Sequence, residues 1–237
     1  MSANIIINAL NGELARVVKS ANTDTINLKN ELTTKWLSPL EEYATWENKI
    51  GTNESLSPQG KLESLKKHAT VETMPKLAWT KKVITQMADK AERYRTQFFT
   101  ITSGIENPAE RMPTFTYIWG HLDSLDPHER LTRFLLAAES NQVVILSAMM
   151  QNPFGEMIDA QVKTQALTER AKRLFPQEYD NFEQNQLLLE YMTMVRDWVG
   201  RWAAQEVGVQ IKVIRDALGD EIADVLTVQT TGIPTAA

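Results

Sequence analysis

The sequence predicts an all-α protein: a helical bundle or an extended helical array with several long helices and flexible terminal arms. Two observations carry this. Apolar residues recur at intervals of three and four almost throughout, and β-branched runs with strict alternation barely occur. The chain also holds only 10 glycines and 9 prolines in 237 residues, and several of the prolines follow a Ser, Asn or Asp, the grammar of a capped helix start.

Residues 1–24 contain several weak helix formers, but Ile5, Leu10, Leu14, Val17 and Val18 can line one amphipathic helix. Asp24 is the expected cap of a helix over about 25–50 that ends at Gly51, with Pro39 either kinking it or opening a second helix. After a loop, Ser57-Pro58 opens a helix to His68 or beyond. Pro75 interrupts, and a long helix follows through Val83, Met87, Tyr94 and Phe98 to Ser103-Gly104. Phe115, Tyr117 and Trp119 alternate as a strand would, yet the stretch 104–125 is read as a short helix. Asp126-Pro127 starts a helix that runs to Asn152-Pro153, or two helices broken near Asn141. Another spans about 155–174 and stops at Pro176. The last long helix carries Leu188, Tyr191, Val195, Trp198 and Trp202 at 3-4-3-4 spacing, a seam that helices bury against one another. Gly208 breaks it, Val209–Leu218 follows, and Gly219-Asp220 starts one more turn.

These boundaries suggest an N-terminal arm and helical hairpin over 1–55, a main helical domain over 56–226 and an extended tail over 227–237. Ordinary hydrophobic (43%) and charged (23%) fractions disfavour intrinsic disorder and collagen-like sequence. The absence of cysteine excludes disulfides, thiolate metal sites and a thiol nucleophile. Ile5-Ile6-Ile7 lacks the basic flank and length of a secretory signal. The longest apolar run, Val143–Met150, is far short of the roughly 20 residues that span a bilayer, so no membrane association is expected.

Charge is uneven. The net charge of −5 divides into −2 over residues 1–56, +5 over 57–100 and −8 over 101–237. Lys66, Lys67, Lys81 and Lys82 form a candidate basic patch, through which residues 57–100 could touch DNA or acidic protein surfaces. No stacking aromatics or DNA-binding motif accompany it.

No catalytic, cofactor or metal-binding set stands out. His68, His121 and His128 have neither HExxH nor ExxH spacing, and the phosphate-binding glycine motifs and the GxSxG elbow are absent. Asp220-Glu221-Ile222-Ala223-Asp224-Val225-Leu226 resembles the second metal-binding helix of MazG-like, all-α nucleoside triphosphate pyrophosphatases. In that family a Glu and an Asp three residues apart join an upstream Glu-x-x-Glu pair around Mg²⁺. Here no upstream Glu-x-x-Glu pair occurs, and an acidic helix start explains the string as well. The candidate interaction residues are aromatic: Tyr191, Trp198 and Trp202 on the seam, with Trp46 and Trp79 in the N-terminal half.

Two further stretches are similar to small helical proteins encoded among tailed-bacteriophage virion genes. One is the helix start Leu56-Ser57-Pro58-Gln59-Gly60-Lys61. The other runs from Leu125-Asp126-Pro127-His128-Glu129-Arg130 through the turn Ala137-Ala138-Glu139-Ser140-Asn141 to Leu146–Phe154. The resemblance implies a non-enzymatic capsid-, core- or connector-associated virion or assembly protein. It would form a homo-oligomer, contact other virion proteins, need no cofactor, and reside in the virion or the host cytoplasm. It carries over no catalytic residue. The alternatives are a Mg-dependent pyrophosphatase-like enzyme and a helical regulatory binding module.

Overall fold

The computed structural model describes residues 3–16, 22–153 and 158–227, and among them there is no strand. The helices are α1 (Ala3–Arg16), α2 (Thr23–Gly51), α3 (Pro58–His68), α4 (Met74–Lys76), α5 (Trp79–Phe99), α6 (Pro108–Asp123), α7 (Pro127–Glu139), α8 (Val143–Met150), α9 (Ala160–Leu174), α10 (Pro176–Arg201), α11 (Ile211–Leu218) and α12 (Ile222–Thr227). π-Helical turns follow α3 over Ala69–Thr73 and α10 over Trp202–Val207.

Local chemistry explains most boundaries. The Ser57 hydroxyl accepts from the Gly60 amide at the start of α3. Asp126 and Glu129 form a reciprocal capping box at the start of α7. The chain breaks at Asn141, which adopts a left-handed φ of 54°, so α7 and α8 are two helices. Gly208, at φ 75°, ends the second π turn.

Some boundaries differ from the sequence reading. Asn22, not Asp24, caps α2, its Oδ1 accepting from the Thr25 amide at 2.9 Å. Pro39 lies buried inside this one continuous helix. Pro176 starts α10 rather than merely stopping α9, since a proline in the first turn gives up no intrahelical hydrogen bond. The Phe115/Tyr117/Trp119 alternation is helical: Phe115 and Trp119 are buried one turn apart, while Tyr117 between them is 80% exposed. The expected N-terminal amphipathic helix is α1, with Ile6 and Leu10 buried. Val17, Val18, Phe154 and the tail from 228 lie outside the described residues.

The chain divides into two compact units, residues 1–89 with 184–237, and residues 90–183. The sequence boundary at 55/56 does not coincide with this division, because helices on both sides of it share one core with the C-terminal helices. In the first unit that core joins Trp36, Leu40 and Tyr43 of α2 to Val195 and Val199 of α10, Trp202, Ile214 of α11 and Ile222 of α12. In the second unit α7 packs on α8 and α9 around Phe134, Leu146, Met149 and Leu167. A separate aromatic cluster gathers around Phe98 with Tyr179 and Phe182. Arg170 and Arg173 of α9 hold the end of α7: Arg170 Nε donates to Asn141 Oδ1, and Arg173 to the Ala138 carbonyl, both at 2.9 Å. Burial, and then the neighbouring Arg173 charge, hold the Arg170 guanidinium below its ordinary value.

Gly200 sets the closeness of α12 to α10. A Cβ there would lie 2.5 Å from Ile222 Cδ1 and 2.7 Å from its Cγ1, inside any tolerable contact. Gly120, on the exposed side of α6, has open space around its missing Cβ. Gly200→Ala should therefore destabilise the protein by about 1–3 kcal/mol. Gly120→Ala should stabilise it by about 0.5–1 kcal/mol. Chemical denaturation of the two variants beside the parent checks both signs.

Candidate functional site

The candidate site is the outer face of α10 in the first unit. From Gln184 into the π turn that follows it, this helix is embedded on about half of its circumference. Leu188, Tyr191, Met192, Val195, Val199, Trp202 and Ala203 are all buried. Polar groups within this burial have partners. Asn185 donates to the Met87 carbonyl at 2.8 Å. The Tyr191 hydroxyl is hydrogen-bonded to Thr33 Oγ1, and the buried Lys29 ammonium sits 4.7 Å from the Tyr191 ring centroid. Arg196, 6% exposed, donates to Asp197 Oδ1 at 2.9 Å and lies 3.6 Å from Glu221.

The remaining stripe, including Gln186, Glu190, Thr193, Met194, Trp198 and Arg201, borders a shallow groove of about 450 Å³. Leu189 and Asp197 complete its lining. Trp198 and Leu189 are half-buried, yet neither belongs to any of the core clusters or packs against one. Glu190 and Arg201 make no ion pair with any other described residue. The groove thus combines apolar flanks with an unpaired acid and an unpaired base. That composition suits contact with another protein surface better than enclosure of a small molecule.

The predicted aromatic residues separate into different roles. Tyr191 and Trp202 are core residues, and Trp202 meets Tyr43 edge-to-face with ring centroids 4.8 Å apart. Burial, and then Glu47, push the Tyr43 phenol well above its ordinary value. Trp79 packs against the buried Trp36, centroid to centroid 5.4 Å. Trp46 stacks on His68 at 5.0 Å, with Lys49 above its ring. Only Trp198 of the five lies on the open groove of α10. The rest of that stripe escaped the sequence reading, although Leu187-Leu188-Leu189 was a signal. Three consecutive apolar residues span about 200° of a helix, more than one seam can bury.

Lys66, Lys67, Lys81 and Lys82 are exposed, the first two in the last turn of α3 and the others in the first turn of α5. Part of the surrounding positive charge is already engaged. Lys81 Nζ lies 3.6 Å from Asp220, and Lys76 pairs with Glu42. The acidic string is also tied internally. Asp220 accepts two hydrogen bonds from Arg215 at 2.8 and 3.1 Å, and Glu221 faces Arg196. Among the described residues no group of three or more His, Asp or Glu could hold a metal ion. No described helix is long and apolar enough to cross a membrane.

Two measurements separate these roles. Trp202→Ala should cost about 3–5 kcal/mol of stability, as for a fully buried tryptophan, whereas Trp198→Ala should change it by about 1 kcal/mol or less. The Arg215 hydrogen bonds, and then the Lys81 charge, hold the Asp220 carboxyl below the ordinary carboxylate value of about 3.9. The resulting attraction is present above that value and lost as pH falls through the lower folded-state pKa. A carboxyl NMR titration should show this depression, and Arg215→Ala should raise the Asp220 midpoint.

No protein-family model, curated protein or solved structure matches the chain, so the reading of this surface rests on its own residues.

Proposed function

We propose that the chain is a non-enzymatic assembly protein that acts through helix-mediated self-association, and that it serves the particle or the assembly machinery of a tailed bacteriophage. The observation that carries the first part is the outer face of α10. It holds a half-buried tryptophan and a leucine outside every core cluster, beside a groove lined from one helix alone. Large aromatic side chains in such positions dominate the energetics of protein interfaces.

The bacteriophage assignment is supported by the resemblance of the helix start at Ser57-Pro58 and of the α7–turn–α8 segment. In this reading the protein resides in the virion or the host cytoplasm and contacts other virion proteins. The exposed lysines of residues 57–100 would face packaged DNA or acidic protein surfaces, with Lys66, Lys67 and Lys82 supplying the charge that no described ion pair consumes.

Two experiments test this function. Sedimentation velocity across a concentration series should reveal a defined oligomer, and Trp198→Ala should weaken its association tenfold or more while leaving helicity intact. A strictly monomeric protein would contradict self-association. Quantitative mass spectrometry of purified particles from the encoding phage should give a fixed copy number. Absence from mature particles would remove the virion role and leave a transient assembly factor.

A further inference from the structure

We infer that the outer face of α10 pairs with the same face of a second copy, antiparallel, about a two-fold axis that crosses the helix between positions 195 and 196. This rests on the self-association reading above and specifies its partner and geometry.

The argument is the distribution of charge along the stripe. Glu190 and Arg201 lie on the same side of α10, both on the groove, separated by roughly 16 Å at 1.5 Å per residue. Neither has an ion-pair partner among the described residues. Asp197, between them, is already bonded to Arg196 at 2.9 Å, so the middle of the stripe carries little net charge. The surface is therefore acidic at one end, near neutral in the middle and basic at the other.

An antiparallel copy of this stripe satisfies it twice over. With the axis between 195 and 196, Glu190 of each copy meets Arg201 of the other. A parallel copy would set Glu190 against Glu190 and Arg201 against Arg201. About this axis each residue keeps its own flank of the contact, so Trp198 of one copy approaches Trp198 of the other on one flank, and the two Thr193 side chains approach each other on the opposite flank. Such a contact uses one patch on both copies and closes as a two-fold dimer.

The absence of cysteine from the 237-residue sequence gives a direct test in this chain. Under this pairing the two Thr193 positions lie about 7.5 Å apart along the axis, and the two Gln186 positions roughly 28 Å. Thr193→Cys should cross-link to its own copy with a short bifunctional maleimide, and Gln186→Cys should not. Glu190→Arg and Arg201→Glu should each weaken the dimer about tenfold by sedimentation, and the double exchange should restore it. Circular dichroism confirms that each variant keeps its helices.

Efficient cross-linking at both positions would indicate a parallel arrangement and overturn the inference. An oligomer indifferent to both charge reversals and cross-linking at neither position would overturn it too, while leaving self-association through another surface standing. A parent protein that is monomeric at every concentration would end both readings.

Discussion

The first unit depends on the burial of α10. A helix solvated on one side needs a single apolar stripe, but α10 between Gln184 and Arg201 is packed from several directions. Tyr191 reaches α2 through Thr33, Asn185 reaches α5 through the Met87 carbonyl, and Gly200 receives Ile222 of α12. Each contact constrains the others. The absence of a side chain at 200 allows Ile222 its place, and Arg196 reaches Glu221 just before that helix begins. A buried guanidinium is tolerable because it is paired. Removing either carboxylate would leave part of its charge without compensation.

The same helix presents its remaining side to the outside. Rigid support on one face favours precise contact on the other, because side chains on a fixed helix lose little further freedom when a partner arrives. Trp198 stands at the margin between the two faces. Its place in the 3-4-3-4 seam made it resemble Tyr191 and Trp202, but it lines the groove and is only half-buried. Both π-helical turns, 69–73 and 202–207, lie in this unit and contribute Ala69, Trp202, Ala203 and Val207 to its core. An inserted residue shifts the register of every later position in a helix, so each turn re-aims side chains that strict α-geometry would place elsewhere.

The fold class and most helix starts were legible because they depend on local chemistry. Ser57-Pro58 and Asp126-Pro127 need only their own next turn to satisfy orphan amides, and both start helices as expected. Asn22 caps α2 by accepting from the Thr25 amide, which places Asp24 inside the first turn; either residue type can start a helix, a choice that spacing leaves open. The division into units was not legible. It joins residues 1–89 to residues from 184 onward, and helical periodicity says which face is apolar but not which distant face covers it. The candidate surface was legible in one residue, Trp198. Glu190 and Arg201 look like ordinary solvated charges until α10 is placed and both are found beside one groove without partners.

Native-state hydrogen exchange resolved along α10 tests the central claim most directly. The amides from Leu188 to Arg201 should exchange only through global unfolding of the first unit, with free energies equal to the highest found in α2. Exchange of this segment through local opening, while α2 stays protected, would contradict the account: α10 would then be a helix added to a core that exists without it.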